Sequence, residues 1–123
     1  MMPTNTAKPI KPIDDYQLQD RYRRSSGRVF LTGTQALVRL PLVQRELDRQ
    51  ASLNTAGYIT GYRGSPLGGY DQALWAAKEY LDTNNITFVP AVNEDLAATA
   101  VIGTQQVEGL ERMDRMDIGV DGA

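Results

Sequence analysis

Apolar residues recur at helical spacings between residues 28 and 50 of the chain, on a face made of Ala36, Leu37, Leu40, Val43 and Leu47. This spacing predicts a helix with one apolar side. Thr32, Gly33 and Thr34 stand just before the pattern and favour a turn and a helix cap, since a threonine side chain can accept a hydrogen bond from a free N–H at a helix start. Pro41 interrupts the pattern. Because proline lacks an N–H and clashes with the preceding turn, we expect a kink or break there.

Two short apolar runs further along the chain have the character of strands. The first covers residues 55–60, and the second covers residues 86–89 and is closed by Pro90. A helix is predicted between them, over about residues 70–81, and another follows from Glu94 to about residue 107. This alternation predicts an α/β fold, a partial parallel sheet with flanking helices.

The segments that follow the two predicted strands are the most informative. Residues 61–69 contain four glycines in nine positions, and residues 90–95 lead into the last helix. In parallel α/β sheets, ligands bind beyond the carboxyl ends of the strands. We therefore expect a functional site to include these two segments.

Composition excludes several kinds of site. The 123 residues contain no cysteine and no histidine, and the net charge is −2. Disulfides, thiolate metal sites, iron–sulfur ligation and Ser-His-Asp triads are therefore excluded for these residues. The weak negative charge argues against a nucleic-acid partner. No run approaches the roughly 20 apolar residues of a membrane span, and the first residues do not have the pattern of a secretory signal, so we expect a cytoplasmic protein without a membrane partner.

The glycine-rich segment is not a nucleotide-phosphate loop of the Walker type, because Tyr70 and Asp71 stand where Lys and Ser/Thr are required. Ser65 could cap the following helix with Pro66 at its first position. Free backbone N–H groups would then face an anion, with Arg63 nearby. The alternative is a capped turn that binds no ligand.

Glu94 and Asp95 open the last predicted helix, where the helix dipole alone favours acidic residues. The residues that follow are mostly small, which predicts a helix that packs closely, as at a subunit interface. If a carboxylate there is buried, its pKa rises and it can hold or pass a proton near neutral pH.

Four segments of the chain, taken together, resemble one enzyme family. They are residues 34–39 (TQALVR), 61–71 (GYRGSPLGGYD), 93–100 (NEDLAATA) and 103–106 (GTQQ). Over about residues 14–109 the chain resembles the N-terminus of bacterial indolepyruvate ferredoxin oxidoreductase. The resemblance implies a truncated thiamine diphosphate-binding fold of the pyrimidine type. It also implies oxidative decarboxylation of aryl-2-oxoacids with coenzyme A and ferredoxin.

The resemblance also implies roles for particular residues. Glu94 matches the catalytic glutamate that hydrogen-bonds the aminopyrimidine ring of thiamine. Ser65 aligns with a hydroxyl residue beside the substrate carboxylate in related enzymes, and Arg63 and Gly64 flank it in the expected substrate site. No metal ligand is expected here. Magnesium and the iron–sulfur clusters would belong to the longer parent enzyme, which we expect to be oligomeric.

Two departures from the family limit what the chain can do. It is much shorter than the family's enzymes, and its sequence leaves the family pattern after Gly109. We therefore predict a flexible arm over residues 1–27, a partial domain over residues 28–109, and an atypical, disordered tail over residues 110–123. We expect such a fragment to be inactive alone. The alternative is a small stand-alone α/β module that binds an anion or a partner protein.

Overall fold

A computed structural model describes residues 14–106 of the chain. In chain order its elements are α1 (Asp20–Arg23), α2 (Gly33–Gln50), β1 (Gly57–Gly61), α3 (Gly69–Ala76), α4 (Lys78–Thr83), β2 (Ile86–Pro90) and α5 (Glu94–Thr104). The two strands pair in parallel, from Gly57 opposite Ile86 to Gly61 opposite Pro90. The predicted α/β class and parallel strand pair are therefore confirmed. The predicted tail at 110–123 and the first part of the predicted arm, residues 1–13, lie outside the described residues.

Helix α2 is capped by Thr32, one of the two threonines in the segment expected to provide a cap. The Thr32 hydroxyl accepts from the Gln35 N–H at 3.2 Å, and the Gln35 side chain accepts from the Thr32 N–H at 3.0 Å. This reciprocal arrangement satisfies two N–H groups that have no partner inside the helix. The start of α2 is thus determined by its local sequence.

Of the kink or break expected near Pro41, the break is wrong, because α2 continues through Pro41 to Gln50. In a helix the residue at position 41 would donate its N–H to the carbonyl of Leu37, and proline cannot do so. The structure supplies another donor, since the Tyr70 hydroxyl donates to the Leu37 carbonyl at 3.2 Å. A side chain from α3 therefore satisfies the carbonyl that the proline leaves without a partner.

The hydrophobic core lies between α2, the α3–α4 pair and the start of β2. Its buried residues are Val38, Leu42, Leu74, Ala77, Leu81 and Ile86. The predicted single helix over residues 70–81 is instead two helices that meet at Ala77, which is fully buried. Alanine favours helices, so the residue type carries no signal for this break.

The segment before α2 is held against that helix. The Arg39 guanidinium donates to the carbonyls of Arg21 and Arg24, both at 2.6 Å. Carbonyls at the end of a one-turn helix have no partner within it, and Arg39 supplies one. Tyr22 also packs against the core, with its ring centroid 5.5 Å from that of Tyr80. The structure thus places residues 20–24 of the predicted flexible arm against α2.

Candidate functional site

The two strands end side by side at one edge of the sheet. Gly61 pairs with Pro90, and the next residue, Ala91, donates its N–H to the Gly61 carbonyl at 2.9 Å. The glycine-rich loop over residues 62–68 and the short segment before α5 therefore leave the sheet from neighbouring positions. This is the edge at which the alternation of strands and helices predicts a site.

Ser65 does not cap the helix that follows the loop, and that prediction is wrong. Helix α3 begins only at Gly69, and no side chain caps it. The intervening residues form turns instead, in which the Ser65 N–H donates to the Tyr62 carbonyl at 3.1 Å and the Tyr70 N–H donates to the Leu67 carbonyl at 2.9 Å. The loop consequently presents no capped helix start at Ser65.

Arg63 is paired within the chain. Its Nε lies 2.8 Å from Oδ2 of Asp71, in the first turn of α3. The hydrogen bond from Arg63 lowers the pKa of Asp71, against the opposing effect of burial. An anion at this loop would share the guanidinium with Asp71, because Asp71 is bonded through Nε alone and the Arg63 side chain is 76% exposed.

Gly64 lies close to the outer end of the Tyr62 side chain. A Cβ atom at Gly64 would come within 2.5 Å of the Tyr62 ring. A larger residue at position 64 would therefore require the exposed Tyr62 side chain to move.

Glu94 lies in the first turn of α5, as predicted. The Asn93 side chain caps this helix by accepting from the Leu96 N–H at 2.8 Å. Glu94 is exposed, and its carboxylate makes no hydrogen bond or ion pair with another described residue. The catalytic role of Glu94 stays a prediction from the resemblance.

The expected burial of α5 does not occur within the described residues. None of its residues is buried, and Leu96 and Ile102 are 54% and 59% exposed. Small side chains allow a helix to approach a neighbour closely, but burial also needs a neighbour on each side. Within residues 14–106 this helix packs mainly on β1.

A cavity of about 250 Å³ lies between the end of β1, the glycine-rich loop and α3. Its walls include the apolar groups of Tyr62, Leu67, Leu74 and Phe88, together with the polar side chains of Ser65 and Asp71. Of the residues predicted from the sequence, Ser65 lines this cavity, whereas Arg63, Gly64 and Glu94 do not. Sequence reasoning missed Asp71, because an acid in the first turn of a helix is ordinarily explained by the helix dipole.

A larger groove of about 740 Å³ lies between α1, α2 and α4 and is rich in arginine. Its arginines are already engaged. Arg24 pairs with Asp15 and Asp20, Arg39 holds two carbonyls, Arg49 pairs with Glu46, and Arg23 lies 5.4 Å from the centre of the Tyr80 ring. The arginines of this groove are therefore explained by contacts within the fold, without a ligand.

Within residues 14–106, acidic side chains do not gather in groups of three or more that could hold a metal ion. The helices of this part of the chain are too short or too polar to cross a bilayer. Comparison of the chain with protein-family models, curated proteins and solved structures gives no significant match.

Proposed function

We propose that the chain is part of a thiamine diphosphate-dependent oxidoreductase that decarboxylates aryl-2-oxoacids such as indolepyruvate, with coenzyme A and ferredoxin. One observation carries the proposal. The parallel pairing of β1 and β2 puts the glycine-rich loop and the Asn93–Glu94 helix start at the same edge of the sheet. These are the two segments to which the family resemblance gives the substrate and the cofactor.

The exposure of Glu94, and its lack of a partner among the described residues, fit a carboxylate that hydrogen-bonds the aminopyrimidine ring. Asn93 caps α5 and thereby fixes the helix start, while the Glu94 carboxylate is exposed and unpaired among the described residues. A carboxyl in that position can exchange a proton with a ring nitrogen. Thiamine diphosphate, when bound, supplies the electron sink for decarboxylation. The contribution of this chain is to hold and move a proton at Glu94.

The exposed apolar side chains of α5 support a site that is shared with another domain or subunit. Leu96, Val101 and Ile102 are each more than two-fifths exposed. From Leu96 to Gln106 the chain carries no charged residue. A second surface over α5 would bury these side chains and also enclose Glu94 at the head of the helix. The diphosphate and magnesium would then be bound outside the described residues.

Ser65 fits the substrate part of the proposal better than Arg63 does. Ser65 is among the residues that line the cavity at the end of β1. Arg63 and Gly64 remain in the proposal as flanking residues, with Arg63 bonded to Asp71 through Nε and reaching a substrate carboxylate through its terminal nitrogens.

A chimaera tests the proposal. This chain would replace the corresponding N-terminal segment of a full-length indolepyruvate ferredoxin oxidoreductase, and indolepyruvate-dependent ferredoxin reduction would be measured with coenzyme A. We expect activity that Glu94→Gln lowers by about 10²- to 10⁴-fold, the usual contribution of a positioned acid or base. Asp95→Asn is the matched control, since it removes one negative charge from the same helical turn.

The two variants separate catalysis from charge. We expect the Asp95→Asn chimaera to stay within about threefold of the parent chimaera, because an exposed first-turn charge contributes only a fraction of a kcal/mol. Full activity of the Glu94→Gln chimaera would contradict the proposal. Equal losses in both variants would show that Glu94 acts only through its charge at the helix start.

A further inference from the structure

Helix α2 has two apolar faces, and the core covers only one of them. Its buried residues are Val38 and Leu42. Four of the five apolar positions that the sequence singles out lie on the opposite face of the helix, and we call them the outer stripe: Ala36, Leu40, Val43 and Leu47. Leu40, Val43 and Leu47 are 66%, 39% and 53% exposed. The prediction of a single apolar side is therefore incomplete, and a helix that is apolar on opposite sides is ordinarily covered on both.

The outer stripe has the spacing of a coiled-coil seam. Its residues follow one another at intervals of four, three and four, which is the heptad spacing of helices that pair along their length. Helix α2 has 18 residues and is therefore about 27 Å long, and the stripe runs along most of it. A second helix with the same spacing is the surface whose shape fits this face.

A second copy of α2 fits the outer stripe in the antiparallel orientation. With the twofold axis at the middle of the stripe, Leu40 faces Val43 of the second copy, and Ala36 faces Leu47 of the second copy. The same contacts recur on the other side of the axis, as an isologous dimer requires. Each layer then contains only apolar side chains, and the small Ala36 leaves room for the larger leucine opposite.

Charges beside the outer stripe favour the antiparallel orientation. Arg39 and Glu46 flank the stripe on the same side. In an antiparallel pair each Arg39 faces Glu46 of the second copy, whereas in a parallel pair it faces the neutral Gln44. Flanking charges of opposite sign set the orientation of paired helices. Arg39 donates to two neutral carbonyls and so keeps its positive charge, and an ion pair as exposed as that of Glu46 with Arg49 holds Glu46 only weakly.

We propose that the chain forms an antiparallel dimer through the outer stripe of α2, with a second copy of itself as the partner. Two helices of 18 residues make a small interface, and interfaces below about 1,200 Å² are typically weak. The dimer therefore forms reversibly. It uses neither the glycine-rich loop nor α5, so it does not depend on the proposed function.

Sedimentation velocity of the complete 123-residue chain tests the dimer. We expect the average mass to rise from one chain towards two between about 10 µM and about 1 mM, since small interfaces are weak. Leu40→Glu puts a charge into both central layers and should keep the chain monomeric over this range, with unchanged circular dichroism. Leu96→Glu is the matched control. It changes a similarly exposed leucine on α5, and we expect it to dimerise like the wild type.

Introduced cysteines test the orientation, because the chain has none of its own. The substitutions Ala36→Cys and Leu47→Cys lie opposite each other in the antiparallel pair, so an oxidised mixture of the two variants should give a covalent dimer. Neither variant alone should do so, because the two copies of either position lie about 16 Å apart along the helices, beyond the reach of a disulfide. In a parallel pair each variant would form a covalent dimer by itself.

Several results would overturn the proposal. A mass of one chain at every concentration would do so, and so would a folded Leu40→Glu variant that still dimerises. Loss of the dimer in Leu96→Glu would assign the interface to α5, and covalent dimers of either cysteine variant alone would exclude the antiparallel orientation. The wild type and the cysteine mixture decide the matter even if Leu40→Glu does not fold. A wild-type chain without helical circular dichroism would also overturn the proposal, since the outer stripe requires α2.

Discussion

Two sides of this chain, a core side and an edge side, differ in how many buried apolar residues they contain. The core side, where α2 packs on the α3–α4 pair and the start of β2, contains all the buried apolar residues found among residues 14–106. The edge side, made of the loop over residues 62–68 and α5, contains none. Segments with little burial open most easily and are where binding residues usually lie. The core side therefore carries the stability, and the edge side carries the candidate chemistry.

The same contrast is visible along a single strand. At its start, Gly57 lies against Ile86, which is only 2% exposed, and a Cβ on Gly57 would meet that side chain. At its end, a Cβ on Gly61 would meet nothing within 4 Å. Packing thus loosens over five residues, from the core side to the edge side.

The largest expected effect comes from truncating a leucine on each side. Leu81 is 1% exposed in the core and Leu96 is 54% exposed on α5. We expect Leu81→Ala to lower the free energy of unfolding by about 2–5 kcal/mol, through lost burial and the cavity left behind. Leu96→Ala should change it by no more than about 0.5 kcal/mol, as for most exposed positions. Urea denaturation followed by circular dichroism measures both changes. Similar losses of unfolding free energy in the two variants would contradict the difference between the core side and the edge side.

A smaller effect is expected from alanine at the two ends of β1. A Cβ at Gly57 would lie 2.9 Å from Cγ1 of Ile86, so that buried side chain would have to move. We expect Gly57→Ala to cost about 1–3 kcal/mol, the usual range for overpacking a core. Gly61→Ala should be neutral or slightly stabilising, since its Cβ meets open space and alanine restricts the unfolded chain. Thermal unfolding of the two variants, side by side, checks this, and the reverse order would contradict it.

The hydrogen bond between Tyr70 and the Leu37 carbonyl lies within the core side, between α3 and α2, and its loss should cost less again. We expect Tyr70→Phe to destabilise the chain by about 1 kcal/mol, the net value of one such bond. In a Pro41→Ala background the residue at position 41 regains an N–H for that carbonyl. Tyr70→Phe should then cost clearly less. A double-mutant cycle on unfolding free energies measures the difference, and equal costs in both backgrounds would exclude this role for Tyr70.

The smallest effect concerns pH and lies on the core side. Hydrogen bonds, first from Thr55 and then from Gln44, lower the pKa of Asp48 below its ordinary value of 3.8. A carboxylate whose pKa is lower in the folded state stabilises the fold above its unfolded pKa, and this contribution is lost as pH falls through the folded value. Asp48→Asn should therefore differ most from the wild type near pH 7, and the difference should begin to shrink below about pH 4 and vanish only below the lowered folded-state pKa. Unfolding free energies across this range test it, and a constant difference would contradict it.

Features that depend on nearby residues could be predicted from the sequence. The start of α2 at Thr32, the second strand and the start of α5 at Glu94 follow from capping residues, β-branched residues and the position of proline. The placement of the two candidate segments at one edge follows from the alternation of helices and strands. Each of these signals lies within a few residues of the feature that it predicts.

Features that depend on distant contacts could not be predicted in this way. Helix α2 passes through Pro41 because a hydroxyl 33 residues from Leu37 satisfies the freed carbonyl. Asp71 becomes notable only because the fold buries one of its oxygens beside a cavity. The exposure of α5 could not be predicted either, since the burial of a helix of small residues depends on the surfaces that surround it.

Arg39 is a position at which the replacement of arginine by lysine would not be conservative. Its guanidinium holds two carbonyls at once, each 2.6 Å away, and neither is a charged group. What the position uses is a planar fork with donors on separate nitrogens, which a lysine cannot reproduce from its single nitrogen. Substitution tables that treat arginine and lysine as equivalents would score this exchange as mild. At this position it would remove hydrogen bonding to the carbonyls of Arg21 and Arg24 and weaken the attachment of α1 to α2.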